Sequence, residues 1–166
     1  MKRFAIAAAC TLLAGPVFAE AHTGGMEVSG DAEAGDQVFN RQCVACHTVT
    51  NDEGEDIAGR GMATGPNLYG VAMRTLGTYE DFDYSESMVQ AGEEGMEWTE
   101  ENFVGYVQDP TGWLREVLDD SRARGKMAFQ LRSEEDAQNV YAYLVSIGPE
   151  ITMEEGEGEE GEDSDS

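Results

Sequence analysis

Apolar positions along this chain recur at helical spacing in several segments, and none alternates as a half-buried strand does. Ala32, Gly35, Val38, Phe39 and Gln42 fall on one side of a predicted helix from Asp31 to Cys46, with Asp31 as its N-cap. Gly35 is costly inside a helix and makes sense where a second helix crosses closely. A last helix is predicted from Glu134 to Ile147. It opens on the capping-box-like run Ser133-Glu134-Glu135-Asp136, carries Val140, Tyr143, Leu144 and Ile147 as its apolar stripe, and ends at Gly148-Pro149. Between these lie a helix from Thr99 to Val107, stopped by Asp109-Pro110-Thr111-Gly112, and short helices over Ser85–Gln90 and Trp113–Leu118. Thr48 to Leu76 is Gly-rich and irregular, and Ser121 to Arg132 is a basic loop. Loops this long in a small domain usually have a functional reason. The fold class is all-α, about four to five helices with long loops, and large apolar side chains are few for its size.

The two ends of the chain read differently. Lys2 and Arg3 precede an apolar run from Phe4 to Ala14 and then Val17-Phe18-Ala19, the anatomy of a secretory signal over residues 1–19, cleaved after Ala19 or Ala21. The run is too short to span a bilayer, which takes about 20 residues. Residues 20–30 are small and polar and are expected to form a flexible leader, in which His22 is solvated. The domain proper then covers 31–149, and residues 150–166 form an acidic tail expected to be disordered. The net charge is −24, and loss of Lys2 and Arg3 leaves 8 basic residues against 34 acidic ones. Nucleic acid is thereby excluded as a partner, since phosphate binding needs a cationic surface. Anionic membrane surfaces are disfavoured for the same reason, and no stable membrane insertion is expected.

Cleavage removes Cys10 and leaves Cys43 and Cys46, in the run Cys43-Val44-Ala45-Cys46-His47. This is the attachment pattern of c-type haem. Cysteines three apart share a helical face, so both thiols reach the two vinyl groups of one porphyrin, and His47 follows as an iron ligand. The same pair could instead be a redox disulfide, which would want a βαβ context that the pattern lacks. Zinc would want further Cys or His, and the mature chain offers only His22 and His47. One motif means one haem, and its apolar body supplies the missing core. The sixth iron ligand decides between a carrier and a catalyst. With no second His in the folded region, Met62, Met73, Met88, Met96 and Met127 are the candidates.

Further blocks occur in order along the chain: Gly65-Pro66-Asn67-Leu68-Tyr69-Gly70, Phe82-Asp83-Tyr84, Trp98-Thr99-Glu100, Tyr106 with Asp109-Pro110, Lys126-Met127-Ala128-Phe129 and Tyr141-Ala142-Tyr143-Leu144. With the haem motif they make the segment Asp31 to Gly148 resemble a class I cytochrome c, of the bacterial periplasmic c2 and c-550 type. The resemblance implies the class I cytochrome c fold around one covalent haem c. It implies Met127 as the axial methionine opposite His47, and the Pro66 carbonyl as acceptor of a hydrogen bond from the His47 ring. It also implies that Arg74, Tyr84 and Trp98 hold the haem propionates, that Tyr106 lies near the axial Met, and that Gly35 and Phe39 cross the last helix against Tyr143.

The implied activity is electron transport rather than catalysis. The expected partners are redox proteins: a cytochrome bc complex as donor, and a terminal oxidase, reductase or reaction centre as acceptor, met by a monomer in the periplasm. A haem catalyst or gas sensor with a vacant sixth position, and a bound subunit of a larger complex, are the competing readings. Two departures stand out. Gly125 occupies a place where the family often has a propionate-bonding Thr, and the mature chain has a single lysine, Lys126, where the family docks through many. Arg115, Arg122, Arg124, Lys126 and Arg132 form a basic cluster instead, read either as a local positive patch or as partners for Glu116, Asp119 and Asp120.

Overall fold

The computed structural model describes residues 26–61 and 64–151. The signal, its cleavage at Ala19 or Ala21, His22, Met62 and the tail beyond Ile151 lie outside the described residues.

Five helices form where the local sequence satisfies the backbone groups that a helix start leaves open. They are α1 (Ala32–Gln42), α2 (Glu86–Glu93), α3 (Glu100–Gln108), α4 (Pro110–Val117) and α5 (Glu134–Ser146). Each begins at a side-chain cap, from Asp31, Ser85, Thr99, Asp109 and Ser133, that accepts a backbone N–H from the first turn. Asp109 serves two helices: its own N–H closes α3 onto the Gly105 carbonyl, and its carboxylate caps α4, with Pro110 at the first helical position. The helix expected at Trp113 therefore starts three residues earlier.

α1 crosses α5, and the contact is made through Gly35. A Cβ there would lie 1.9 Å from the Asn139 carbonyl oxygen, so any larger residue forces the helices apart. Phe39 packs on Tyr143 across the same crossing, with ring centroids 5.5 Å apart. α3 covers another side of α5, which explains why α5 buries Tyr141, Ala142 and Val145 as well as the expected Val140, Tyr143 and Leu144. The predicted stripe was too narrow because it assumed a single neighbour.

Two expectations need correction. A two-stranded antiparallel hairpin, β1 (Val49–Thr50) with β2 (Asp56–Ala58), lies inside the Gly-rich loop where no strand was expected. The strands are too short to show an alternating pattern, and their turn is held by the Asn51 side chain, which accepts from Glu53 and Glu55 N–H. Secondly, α1 ends at Gln42 with Cys43 as its C-cap rather than running through Cys46. The haem motif continues as a single turn, with the Cys46 and His47 N–H groups both on the Cys43 carbonyl. The chain then bends away as Gly65 N–H takes the Cys46 carbonyl at 2.8 Å. Among the described residues no helix is long and apolar enough to cross a membrane.

Candidate functional site

The helices and long loops line a largely apolar cavity of about 400 Å³. All nine residues singled out from the sequence line it: Cys43, Cys46 and His47 from the turn after α1, Pro66 and Arg74 from the Gly-rich loop, Tyr84 before α2, Trp98 before α3, Tyr106 on α3, and Met127 from the basic loop. They come from segments up to 84 positions apart, so the fold rather than local sequence assembles them.

The His47 ring is held in one orientation. Its Nδ1 lies 2.9 Å from the Pro66 carbonyl oxygen, which can only accept, so Nδ1 carries the proton and Nε2 is left with its lone pair. Burial pulls the His47 pKa below its usual value, and the Pro66 bond opposes this in part. Gly65 supplies the room: a Cβ there would stand 2.4 Å from Cε1 of the ring. Cys43 and Cys46 are not joined to each other in a disulfide. Burial, with Cys46 adding, pushes the Cys43 thiol up to about 12.

Arg74 is half-buried at the cavity wall. Its guanidinium donates to the Tyr69 and Asn67 carbonyls at 3.1 and 3.3 Å and lies 5.4 Å from the centre of the Tyr79 ring. No carboxylate pairs with it among the described residues. A desolvated cation without a counter-ion, at the edge of an apolar cavity, fits a guest that brings its own carboxylates. Trp98 and Tyr106 meet edge to face at 5.1 Å, and burial, with Tyr84 adding, pushes the Tyr106 hydroxyl up to about 12. Gly125 lies beside that hydroxyl, where a Cβ would make ordinary van der Waals contact at 3.4 Å.

Of the methionines considered as sixth ligand, Met88 and Met127 line the cavity, while Met73 and Met96 pack against the core elsewhere. Sequence reasoning assigned no role to Phe82 or to the pairing of Lys126 with Asp83. Lys126 Nζ lies 2.5 Å from the Asp83 carboxylate and also donates to the Asp83 carbonyl, tying the two loops that flank the cavity. A contact between residues 43 positions apart leaves no trace in local pattern.

A family profile, Cytochrome c, matches residues 32–148. The chain belongs to the cytochrome c family. Cytochrome c2 of Rhodovulum adriaticum is 56% identical over 123 residues, 74% of this chain and 97% of that one. Cytochrome c-550 of Paracoccus pantotrophus is 38% identical over 136 residues, 81% of this chain and 98% of that one. The crystal structure of cytochrome c2 from Rhodobacter sphaeroides superposes with a TM-score of 0.70 at 52% identity, covering 72% of this chain and 98% of that one. This cytochrome therefore has the class I fold expected from its sequence, carries one covalently attached haem c, and is a monohaem electron-transfer protein. Its cavity fits that group: paired thiols, an imidazole with a bare nitrogen, a thioether and an unpaired cation meet on apolar walls.

Proposed function

We propose that this cytochrome is a soluble periplasmic carrier of single electrons whose iron is held between His47 and Met127. Cys43 and Cys46 form the two thioether links, and His47 binds through Nε2. The single observation that carries this reading is the Pro66 carbonyl fixing Nδ1 as the protonated nitrogen, in a ring that shares its cavity with both thiols and Met127. When bound, haem supplies an iron that alternates between ferrous and ferric forms. The protein holds the ligands on packed elements, so little rearranges between the two states. Pro66 orients His47 and raises its basicity. Arg74, Tyr84 and Trp98 bind the carboxylates at the cavity edge, and Tyr106 shields the Met127 side. With His47 and Met127 both holding the iron, small molecules would be excluded and no catalysis is expected.

Export through the N-terminal signal, with cleavage after Ala19 or Ala21, places the mature monomer in the periplasm. There it takes electrons from a cytochrome bc complex and passes them to a terminal oxidase, a reductase or a reaction centre.

The test of the iron ligand compares Met127→Ala with Met88→Leu. Met127→Ala is expected to lose the weak red charge-transfer band of the oxidised protein and to bind CO rapidly when reduced, while Met88→Leu keeps the band. Persistence of the band in Met127→Ala would exclude Met127 as the ligand.

A further inference from the structure

The residues just before the family's domain form a strap with a buried anchor. Met26 precedes the matched region 32–148, yet it is only 9% exposed and belongs to the core. Three contacts fix the strap. Ser29 gives its N–H to the Glu100 carboxylate at 3.1 Å and its hydroxyl to the same group. Gly30 lies directly on the α5 backbone, where a Cβ would stand 2.2 Å from the Gln138 carbonyl oxygen. Asp31 N–H donates to Asn139 Oδ1 at 2.7 Å, and Asn139 is the one buried polar side chain among the described residues.

The anchor ends on a hydrogen bond that belongs to the haem cavity. Tyr141 is fully buried, and its hydroxyl lies 2.8 Å from the Trp98 carbonyl and 3.8 Å from Met26 Sδ. A hydroxyl has one proton, and a carbonyl is a far better acceptor than a thioether. The proton therefore goes to Trp98, and the Met26 thioether packs against the same hydroxyl. The same Trp98 carbonyl accepts Met73 N–H at 3.0 Å, and Trp98 N–H donates to the Arg74 carbonyl at 2.9 Å. Trp98 and Arg74 are both cavity walls.

We propose that Met26 is an apolar plug that keeps the Tyr141–Trp98 hydrogen bond dry, so that the strap positions the Arg74–Trp98 wall and thereby raises the reduction potential. Met26 and Tyr141 are positioning residues, acting through Trp98. Water admitted behind this wall would favour the more highly charged oxidised state and lower the potential. The inference rests on the cavity being the haem site and is independent of which residue supplies the sixth ligand.

The experiment uses the mature holoprotein with Met26→Ser, Met26→Leu and Tyr141→Phe, reading amide hydrogen exchange at Met73 together with the midpoint potential. Met26→Ser is expected to speed Met73 exchange by about tenfold or more and to lower the potential. Tyr141→Phe moves both in the same direction, and Met26→Leu leaves both at the parent values. Unchanged exchange and potential in Met26→Ser, even with a lower melting temperature, would reduce the strap to a structural prop and overturn the proposal. Met26→Leu behaving like Met26→Ser, or Tyr141→Phe like the parent, would overturn it as well. Pigment attached to the denatured parent reports on the haem-site assignment separately, because the exchange rate at Met73 reads the strap whatever the cavity holds.

Discussion

Gly65 shows how one missing side chain can set a ligand's geometry. The His47 ring occupies the space a Cβ would take, with three ring atoms within 2.9 Å of that position. Gly65→Ala should push the ring off the Pro66 carbonyl and cost about 1–3 kcal/mol, as overpacking does. Denaturant unfolding measures the cost, and loss of the hydrogen-bonded Nδ1–H resonance reports the ring. The buried tyrosines act at the same scale on pH dependence. Burial pushes Tyr106 and Tyr141 up to about 12, with Tyr84 and Glu100 respectively adding to the shift. In the unfolded chain both ionise near 10. Their neutral forms thus contribute stability that is complete below pH 10 and is lost as pH rises toward 12. Each is expected to remove about 2–3 kcal/mol across that window. Urea titrations at successive pH values should show unfolding midpoints falling steeply between pH 10 and 12, and a flat profile would refute it.

At the scale of elements, the α1–α5 crossing is the contact least able to adjust. Both sides of the clash at Gly35 are backbone or Cβ, namely the Asn139 carbonyl and Tyr143 Cβ, so neither can swing away. Gly35→Ala should destabilise by about 3 kcal/mol or more, despite the better helix propensity of Ala. A fall in the melting temperature together with reduced yield of pigmented protein measures it. A neutral result would mean that the helices separate freely. The clamp between Lys126 and Asp83 is different in kind. Both side chains are substantially exposed, so the pair is worth at most about 1 kcal/mol. Its importance is topological, since it joins the loop carrying Tyr84 to the loop carrying Met127.

Across the whole molecule, 34 acidic residues face 10 basic ones, and among the described residues only Arg122 and Lys126 form ion pairs. Within the basic cluster, Arg122 pairs with Asp120, Lys126 with Asp83, and Arg115 donates to the Ala123 carbonyl. Arg124 and Arg132 remain without a side-chain partner among the described residues. Of the pairing expected with Glu116, Asp119 and Asp120, only Arg122 with Asp120 forms, and a smaller positive patch stays available. Steering by that patch predicts that electron transfer to an acidic partner slows as ionic strength rises, and that Arg124→Glu with Arg132→Glu flattens the dependence. Stopped-flow rates measured over a salt series decide. A rate independent of salt in the parent would leave the patch without a role.

Local chemistry alone determined the helices and the cofactor. A capping side chain acts within three residues, and two thiols and an imidazole within five, so their meaning survives in a linear string. The caps at Asp31 and Ser133, the crossing glycine and the haem motif could be read there, whereas Asp109 read only as a helix stop and proved to cap α4 as well. The tertiary structure decided what depends on distant segments meeting. It made α5 buried almost all round, formed a hairpin too short to leave a pattern, and brought two of the four candidate methionines among the described residues, Met88 and Met127, to the cavity. It also set Arg74 half-buried in the cavity wall and turned the expected flexible leader at Met26 into part of the core. The physical reason is that burial is a property of packing. Whether a thioether, a hydroxyl or a guanidinium is desolvated depends on the elements brought against it, and no spacing along the chain records them.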